Sequence, residues 1–415
     1  MEKRRLSLWL VVIGFTLSLT TFSFLGPIEA FAQSRPAPST IKIGCVNSIT
    51  GAGALGGKFV QTGYDIGIKH VNEAGGVYIK EFDKKIPLEI IYVDNESDPK
   101  KVTSRMEKLY SVDKVDVFLG SFAAHLVIPQ LAIAEKYRIP IIVTTIGSTA
   151  EFEKGYKYSF TPFMAEQDQV ITFLDVLDSI PQNQRPTKIA FFEIQEEWGV
   201  ATGKYLREFS ANKDYKIVAY EKYAIPANDF SSLIVKAKSA GADALYTNPL
   251  PPQGIIIVKQ MKELDWAPKL AYIMRAADTA IWPKNLGKDG DYISHSGGWD
   301  YHLKLPGVEK FVQDFKAAYG YTPEPATGTA YPCVQILADA LQRAGTLDKD
   351  KVRDAIASTN MMTIMGPMKF KPNGRGEGKY VRTMSQWQNG KDELIWPKDQ
   401  ASAPLAYPMP PWKDR

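Results

Sequence analysis

Residues 41–46 read IKIGCV, residues 88–93 read LEIIYV and residues 115–119 read VDVFL, so short apolar runs rich in β-branched residues recur along the chain. Stretches with helical spacing separate these runs, and the first, from about residue 57 to 74, ends at a Gly-Gly pair. A glycine just past the last turn is a common helix end. Strands that alternate with helices predict an α/β fold with a parallel sheet covered on both faces.

The same alternation continues to about residue 143 and then restarts. Asp98 and Pro99 are typical of a helix start, and a helix near 124–136 leads to a strand at 139–143. The second half of the chain predicts four strands and three helices between them: strands at 188–193, 216–220, 244–248 and 270–274, and helices near 199–212, 229–240 and 253–264. A second doubly wound α/β lobe is therefore expected.

In the last part of the chain, we expect the backbone to cross from the second lobe back to the first. A Gly-Gly-Trp sequence at 297–299 is typical of a crossover, and helices near 307–319 and 328–344 follow it. The tail from Pro372 is rich in Gly, Pro and Trp, and we expect it to wrap back over the second lobe. Ligands bind outside the carboxyl ends of parallel strands, so two such lobes that face each other predict a cleft.

The first 32 residues have the features of an export signal. A basic start at 2–5 precedes an uncharged apolar run at 6–25, and Ala-Phe-Ala at 30–32 supplies the small residues of a cleavage site. Cleavage before Gln33 and a periplasmic location are therefore expected. An uncleaved anchor is the alternative, because the apolar run approaches the ~20 residues that span a bilayer.

Length, charge and cysteine content narrow the class of protein. The chain has 415 residues, more than the ~250–300 at which one core usually splits, so two lobes are expected. Fifty basic side chains against 46 acidic ones argue against a nucleic-acid partner. Cys45 and Cys333 either pair in an oxidising compartment or remain as buried thiols on a strand and a helix.

Short motifs occur in a fixed order along the chain. They are SITG at 48–51, GG at 56–57, NEAGGV at 72–77, DNESDP at 94–99, IP at 139–140, EWG at 197–199, DFS at 229–231, GAD at 241–243 and MGPM at 365–368. Each motif alone is weak, but their order resembles the periplasmic binding proteins of the branched-chain amino-acid (leucine/isoleucine/valine) uptake type. The resemblance covers most of the chain, to about residue 375.

The resemblance implies a type I periplasmic binding fold, in which three crossovers join two lobes around a ligand cleft. The implied lobes are 40–160 with 299–370, and 161–298 with 371–415. It also implies a monomer that closes around a small molecule by hinge motion and delivers it to the membrane permease of an ABC importer.

We expect the ligand to be bound by residues at the cleft ends of the strands and at the crossover. These candidates are Ser48, Gly56, Phe122, Ala123, Ala124, Thr144, Thr145, Gly147, Ser148, Trp198, Tyr246, Asn248, Arg275 and Trp299. Backbone N–H groups at a helix start favour an anion, and flat aromatic side chains on cleft loops pack against an apolar ligand body. The alternative for these aromatic residues is packing at the hinge.

The chain departs from the amino-acid-binding pattern at four places, one of which is 248–250, where Asn-Pro-Leu stands in place of a tyrosine that those members often have. Ala124 replaces a hydroxyl residue and leaves only its N–H, while Thr145 and Ser148 still supply hydroxyl groups. Arg275 lies near the place of an expected acidic residue, and its guanidinium suits a carboxylate; a solvated surface position or an inter-lobe ion pair is the alternative. Gly56 replaces an aromatic residue found in some members, so a wider pocket is expected.

Ser148 also allows a simpler interpretation. Together with Glu151 it forms the S-x-x-E pattern of a capping box, so its hydroxyl either contacts ligand or only caps a helix.

The sequence lacks the usual marks of catalysis, cofactor binding and metal binding. GAGALG at 51–56 matches a dinucleotide motif, but residues 47–50 separate it from the predicted strand, and no acidic residue stands at a strand end about 20 residues on. The four histidines lack metal-site spacing, and no serine lies in a nucleophile elbow. We therefore predict a binding protein without cofactor, metal or enzymatic activity. Its ligand is a small aromatic or branched aliphatic carboxylate, or an amino acid. A sensory ectodomain and a cleft enzyme remain alternatives.

Overall fold

The computed structural model describes residues 36–279, 281–378 and 380–415. The predicted signal segment, residues 1–32, lies outside these ranges. The strands, in chain order, are β1 (Ile41–Asn47), β2 (Val77–Ile79), β3 (Lys84–Ile86), β4 (Leu88–Asp94), β5 (Val117–Leu119), β6 (Ile141–Ile142), β7 (Ser159–Phe160), β8 (Lys188–Ile194), β9 (Lys216–Tyr223), β10 (Ala244–Thr247), β11 (Leu270–Ile273), β12 (Ile293–His295), β13 (Asn360–Thr363), β14 (Gly366–Phe370), β15 (Gly376–Gly378), β16 (Met384–Gln388) and β17 (Lys391–Trp396).

Helices alternate with most of these strands. They are α1 (Ala54–Glu73), α2 (Pro99–Ser111), α3 (Ala124–Tyr137), α4 (Thr149–Phe152), α5 (Glu166–Asp178), α6 (Glu197–Ala211), α7 (Ser231–Ser239), α8 (Pro251–Glu263), α9 (Ile281–Leu286), α10 (Val308–Tyr319), α11 (Pro325–Ala344) and α12 (Lys349–Ala357). The Asp98 side chain accepts a hydrogen bond from the Lys100 N–H and caps α2, as predicted.

Two large sheets form the centres of two lobes. The first has the strand order β4-β1-β5-β6-β7, and all its pairings are parallel. The second has the order β17-β16-β12-β11-β10-β8-β9. Its strands β8 to β12 pair in parallel, whereas β16 and β17 from the tail add antiparallel pairings at one edge. The predicted α/β fold is confirmed, with the tail joining the second sheet rather than only covering it.

The chain passes between the two sheets three times. It leaves the first sheet after β7, returns after β12 to α10 and α11, and enters the second sheet again at β16. Helix α11 packs along α1 of the first lobe. Residues 376–378, expected in the second lobe, instead form β15 and pair with β14 in a small antiparallel sheet.

Apolar strands explain why both sheets are covered on their two faces. Every residue of β5, β10 and β11 is buried, as expected for strands with helices on both sides. Cys45 on β1 and Cys333 on α11 are buried free thiols, so the disulfide alternative is wrong. Within the described ranges, no helix combines the length and the apolar character that a membrane span needs.

Candidate functional site

The loop after β6 is a place where the two lobes touch. All five of its residues, 144–148, are buried. A Cβ built on Gly147 would lie 3.1 Å from the indole of Trp198, so the ring rests directly against this glycine. The Ser148 hydroxyl donates to Glu197 Oε1 at 2.9 Å, and this bond also joins the lobes. Trp198, predicted on a loop, lies half-buried in the first turn of α6.

Strained backbone occurs at the cleft ends of three strands. Ala123 after β5, Thr145 after β6 and Arg275 after β11 have φ values of 73°, 55° and 65°. The Ala123 N–H donates to Thr145 Oγ1 at 3.2 Å, which ties the two first-lobe loops together. Non-glycine residues in this region of φ are uncommon and concentrate at functional sites. The loops that the sequence singled out therefore carry a backbone conformation that surrounding contacts maintain.

Phe122 fills the space above Gly56. A Cβ built on Gly56 would lie 2.3 Å from the Phe122 ring. The expectation that the missing side chain at position 56 widens the pocket is therefore wrong, because the ring of Phe122 occupies that volume. Both residues belong to the first lobe, and together they give it an apolar surface beside the start of α3.

Two other predicted hydroxyl residues have partners inside the first lobe. Ser48 is buried and its Oγ donates to Asn95 Oδ1 at 3.0 Å. Thr144 is also buried, and its Oγ1 donates to Thr329 Oγ1 on α11 at 2.8 Å. Ala124 is the first residue of α3, as predicted.

Ser148 does not cap its helix through its side chain. It stands directly before α4, but its hydroxyl bonds to Glu197 instead of to the first turn. Glu151, the other member of the supposed capping box, pairs with Lys154 at 2.6 Å. The capping alternative is therefore wrong, and the Ser148 side chain faces the second lobe.

Arg275 already has an anionic partner. Its Nη1 lies 2.6 Å from Glu196 Oε1, and its Nη2 donates to the Asn248 carbonyl oxygen at 2.9 Å. All three residues follow strands of the second sheet, so this is an ion pair within one lobe rather than between lobes. A ligand carboxylate would have to compete with Glu196 for the guanidinium. Asn248 is buried, and its side-chain amide points toward Thr202 Oγ1 at 3.4 Å.

Two of the predicted aromatic contacts belong to the protein core. Tyr246 lies on β10 rather than on a loop, is fully buried, and packs edge to face against Phe173 with ring centroids 5.1 Å apart.

Trp299 is 1% exposed, and its indole N–H donates to the Ile364 carbonyl oxygen at 3.1 Å. Its ring lies so close to Gly328 that a Cβ there would be 1.9 Å away. For Trp299, packing at the hinge is therefore the correct interpretation.

Besides Glu196, three polar residues near these loops were not selected from the sequence. Arg375 is 6% exposed and donates to the carbonyl oxygens of Gly147 and Ser148 at 3.2 Å each. Glu166 is 4% exposed, and its Oε2 accepts from the Thr149 N–H at 3.4 Å. Burial, with the neighbouring Glu197 carboxylate, raises the pKa of Glu166 to about 7. No sequence pattern marks Glu166 or Arg375, because each meets the loop only in the folded chain.

Asp278 is the third missed residue. It lies half-buried on the loop after β11, three positions beyond Arg275. Burial raises the pKa of Asp278 to about 6, although His295 and Arg275 lower it. An acidic residue is therefore present on the loop where the family pattern predicted one, at a position that we did not select.

Comparison with known proteins identifies the family. A sequence model of one protein family, described as "periplasmic binding protein", matches residues 40–391. The chain belongs to the periplasmic binding protein family. Leu/Ile/Val-binding protein homolog 7 of Brucella abortus (strain 2308) is 24% identical over 396 residues, which cover 91% of this chain and 96% of that relative. The resemblance to the branched-chain amino-acid type is thereby confirmed as a statement of family.

Solved structures of this family share the fold. The branched-chain amino acid transporter substrate binding protein LivJ of Streptococcus pneumoniae, in complex with isoleucine, has a TM-score of 0.72 at 21% identity and covers 85% of this chain and 97% of its own. A solute binding protein of an ABC transporter from Rhodopseudomonas palustris BisB5, in complex with 3,4-dihydroxybenzoic acid, has a TM-score of 0.73 at 17% identity. It covers 91% of this chain and 100% of its own. At these identities the likeness establishes the type I fold, and the ligands are those of the neighbours.

Proposed function

We propose that this protein is an extracytoplasmic solute-binding protein of an ABC transporter. It captures a small organic carboxylate, either an aromatic or branched aliphatic acid or an amino acid, by hinge closure and delivers it to the membrane permease. The observation that carries the proposal is the contact of the buried 144–148 loop with Glu197 and Trp198 of the opposite lobe. A contact between loop ends of two separate sheets is the geometry that encloses a ligand without covalent chemistry.

The start of α3 is the best place for the ligand carboxylate. This helix has 14 residues, and among the described residues no side chain caps its N-terminus. Free N–H groups and the helix dipole stabilise an anion at such an end. Arg275 is a weaker candidate than the sequence indicated, since Glu196 already neutralises it. The carboxylate is therefore proposed to bind at Ala124, beside the Thr145 and Ser148 loop.

Aromatic rings and one acid complete the proposed pocket. Phe122 and Trp198 supply flat apolar surfaces from opposite lobes for the body of the ligand. Asp278 supplies a carboxylate on the second lobe that would pair with an ammonium group. An amino acid would use Asp278, whereas a benzoate-like or branched aliphatic acid would not. The difference allows the two ligand types to be separated by experiment.

A thermal-shift screen tests the proposal. The compounds are amino acids, benzoate-like acids, short branched acids and amides, each with the wild-type protein and with Trp198→Ala. A compound at one hundred times its dissociation constant stabilises the folded protein by about 2.7 kcal/mol. We expect at least one carboxylate to raise the melting temperature of the wild type, and Trp198→Ala to lose most of that rise.

Two further variants make the screen specific. Trp412→Ala is the matched control and should respond like the wild type, because the Trp412 indole donates to the carbonyl oxygen of Trp266, which precedes β11 at the edge of the sheet opposite the cleft loops. Asp278→Asn should abolish the response to amino acids and leave the response to other acids. The proposal fails if no carboxylate stabilises the protein, if Trp198→Ala responds fully, or if a bound compound is chemically converted. Loss of cellular uptake of the compound on gene deletion would support transport rather than sensing.

A further inference from the structure

Arg375 joins three segments that are far apart in the sequence. It lies just before β15, where its backbone forms a bridge with Thr161 of the first crossover. Its guanidinium donates to the carbonyl oxygens of Gly147 and Ser148 in the 144–148 loop, and to that of Phe163 in the first crossover, each at 3.2 Å. One buried side chain therefore connects the crossovers to the loop at the lobe contact.

The acceptors of Arg375 are backbone groups rather than carboxylates. Its guanidinium carbon lies 5.3 Å from the centre of the Phe152 ring, and the side chain is 6% exposed. The nearby carboxylates of Asp168 and Glu166 stabilise the charge of this buried guanidinium. Its hydrogen bonds to described residues, however, go to backbone carbonyl oxygens, so they fix the position of the backbone. The planar, five-donor guanidinium suits several carbonyl oxygens at once in a way that lysine does not.

The direction of these hydrogen bonds fixes the orientation of two peptide groups. In a planar trans peptide, the carbonyl oxygen and the following N–H point to opposite sides. Because the carbonyls of Gly147 and Ser148 point to Arg375, the N–H groups of Ser148 and Thr149 point away from it. The Thr149 N–H donates to Glu166 Oε2 at 3.4 Å, and the backbone N–H of Glu166 donates to the Gly147 carbonyl oxygen at 3.3 Å. The loop is thus held by Arg375 through two carbonyl oxygens, and by Glu166 through one of these carbonyl oxygens and through the Thr149 N–H.

We infer that Arg375 is a positioning residue for ligand binding, which sets the orientation of the Ser148 N–H and hydroxyl toward the cleft and links this loop to the crossovers. It does not contact the ligand itself. The inference rests on the proposed function, because it assigns to the 144–148 loop a role in ligand capture. Its direct structural consequence, a loop ordered by Arg375, is testable without any ligand.

Hydrogen–deuterium exchange of the unliganded protein tests that consequence. The variant is Arg375→Lys, which keeps the charge but not the planar set of donors. We expect exchange in residues 144–152 to become at least about tenfold faster, with β1 and β4 unchanged. The control is Arg382→Lys, between β15 and β16, whose side chain is 42% exposed; it should exchange like the wild type. Unchanged exchange at 144–152, or equally faster exchange everywhere, would overturn the inference.

Binding of isoleucine and of benzoate forms the second arm. If the wild type binds either probe, Arg375→Lys should raise its dissociation constant at least about tenfold, and equal affinity would overturn the positioning role. If the wild type binds neither probe, the proposed ligand class is in question while the exchange result still decides on Arg375. If Arg375→Lys does not fold, the rotation of the Arg375 guanidinium in the wild type is measured instead, by ¹⁵N NMR of its side chain. A guanidinium of Arg375 that rotates freely would then contradict the three hydrogen bonds.

Discussion

The ring of Phe122 lies against the Cα of Gly56, and this contact can be tested with one methyl group. A Cβ at position 56 would be 2.3 Å from the ring, so Gly56→Ala must displace Phe122. Overpacking of this kind costs about 1–3 kcal/mol. We expect a loss of that size in the free energy of unfolding, measured in urea.

The same substitution in a Phe122→Ala background provides the control. Without the ring, alanine should be neutral or stabilising by up to about 1 kcal/mol, because it favours the helix that glycine weakens. The double-mutant cycle should therefore show a coupling energy between positions 56 and 122. Equal costs of Gly56→Ala in both backgrounds would mean that the ring does not fill the space above Gly56.

Glu166 should make the stability of the folded protein fall as pH rises. Its ordinary pKa is 4.5, and burial raises the folded-state pKa to about 7. Between these values the folded chain holds a proton that the unfolded chain has released, so rising pH favours unfolding. We expect the wild type to lose stability relative to Glu166→Gln between about pH 5 and pH 8, as measured by melting temperature.

Glu208, exposed on α6, serves as the control for this pH dependence. The melting temperature of Glu208→Gln should equal that of the wild type at about pH 5 and at about pH 8. If the difference in melting temperature between wild type and Glu166→Gln is independent of pH, the folded protein does not raise the pKa of Glu166.

The candidate site was only partly predictable from single residues. Loop positions 144–148 and Trp198 were found because they follow strands or match a family motif, and the structure brings them into contact. Tyr246 was misassigned, because the sequence does not distinguish a tyrosine near a strand end whose ring enters the core from one whose ring enters the cleft. The partner of Arg275 was missed because Glu196 follows a different strand of the sheet.

At the scale of elements, α1 and α11 pack closely through glycine. A Cβ built on Gly67 would lie 2.9 Å from the Val334 Cβ, so a larger side chain would force the helices apart. We expect Gly67→Leu to destabilise the protein by about 1–3 kcal/mol or more in urea unfolding, because the two helices form the core of the first lobe.

Lys69→Leu introduces the same side chain on the exposed face of α1 and is the matched control. Its effect should stay within about 0.5 kcal/mol. Similar stability losses in both variants would show that α1 tolerates movement away from α11.

At the scale of the whole molecule, ligand capture should bring the lobes together. The three crossovers are the only covalent connections between the sheets in the described part of the chain, so a bound molecule between the loops favours closure. We expect a compound that raises the melting temperature also to lower the radius of gyration in solution X-ray scattering. Trp198→Ala with the same compound should show no decrease. A bound compound that leaves the radius unchanged would argue against hinge closure.

The order of strands and helices was readable from the sequence because it depends on local spacing: β-branched runs, helix caps and glycines act over a few residues. The α/β class, the two-lobe organisation and the family all follow from that local pattern and the order of the motifs. Which polar groups meet was decided only by the tertiary structure. Arg375 and Gly147 are 228 positions apart, and their contact exists because three crossovers fold the tail back to the first lobe. No local pattern encodes such a contact, since the acceptor is a backbone carbonyl that every residue carries.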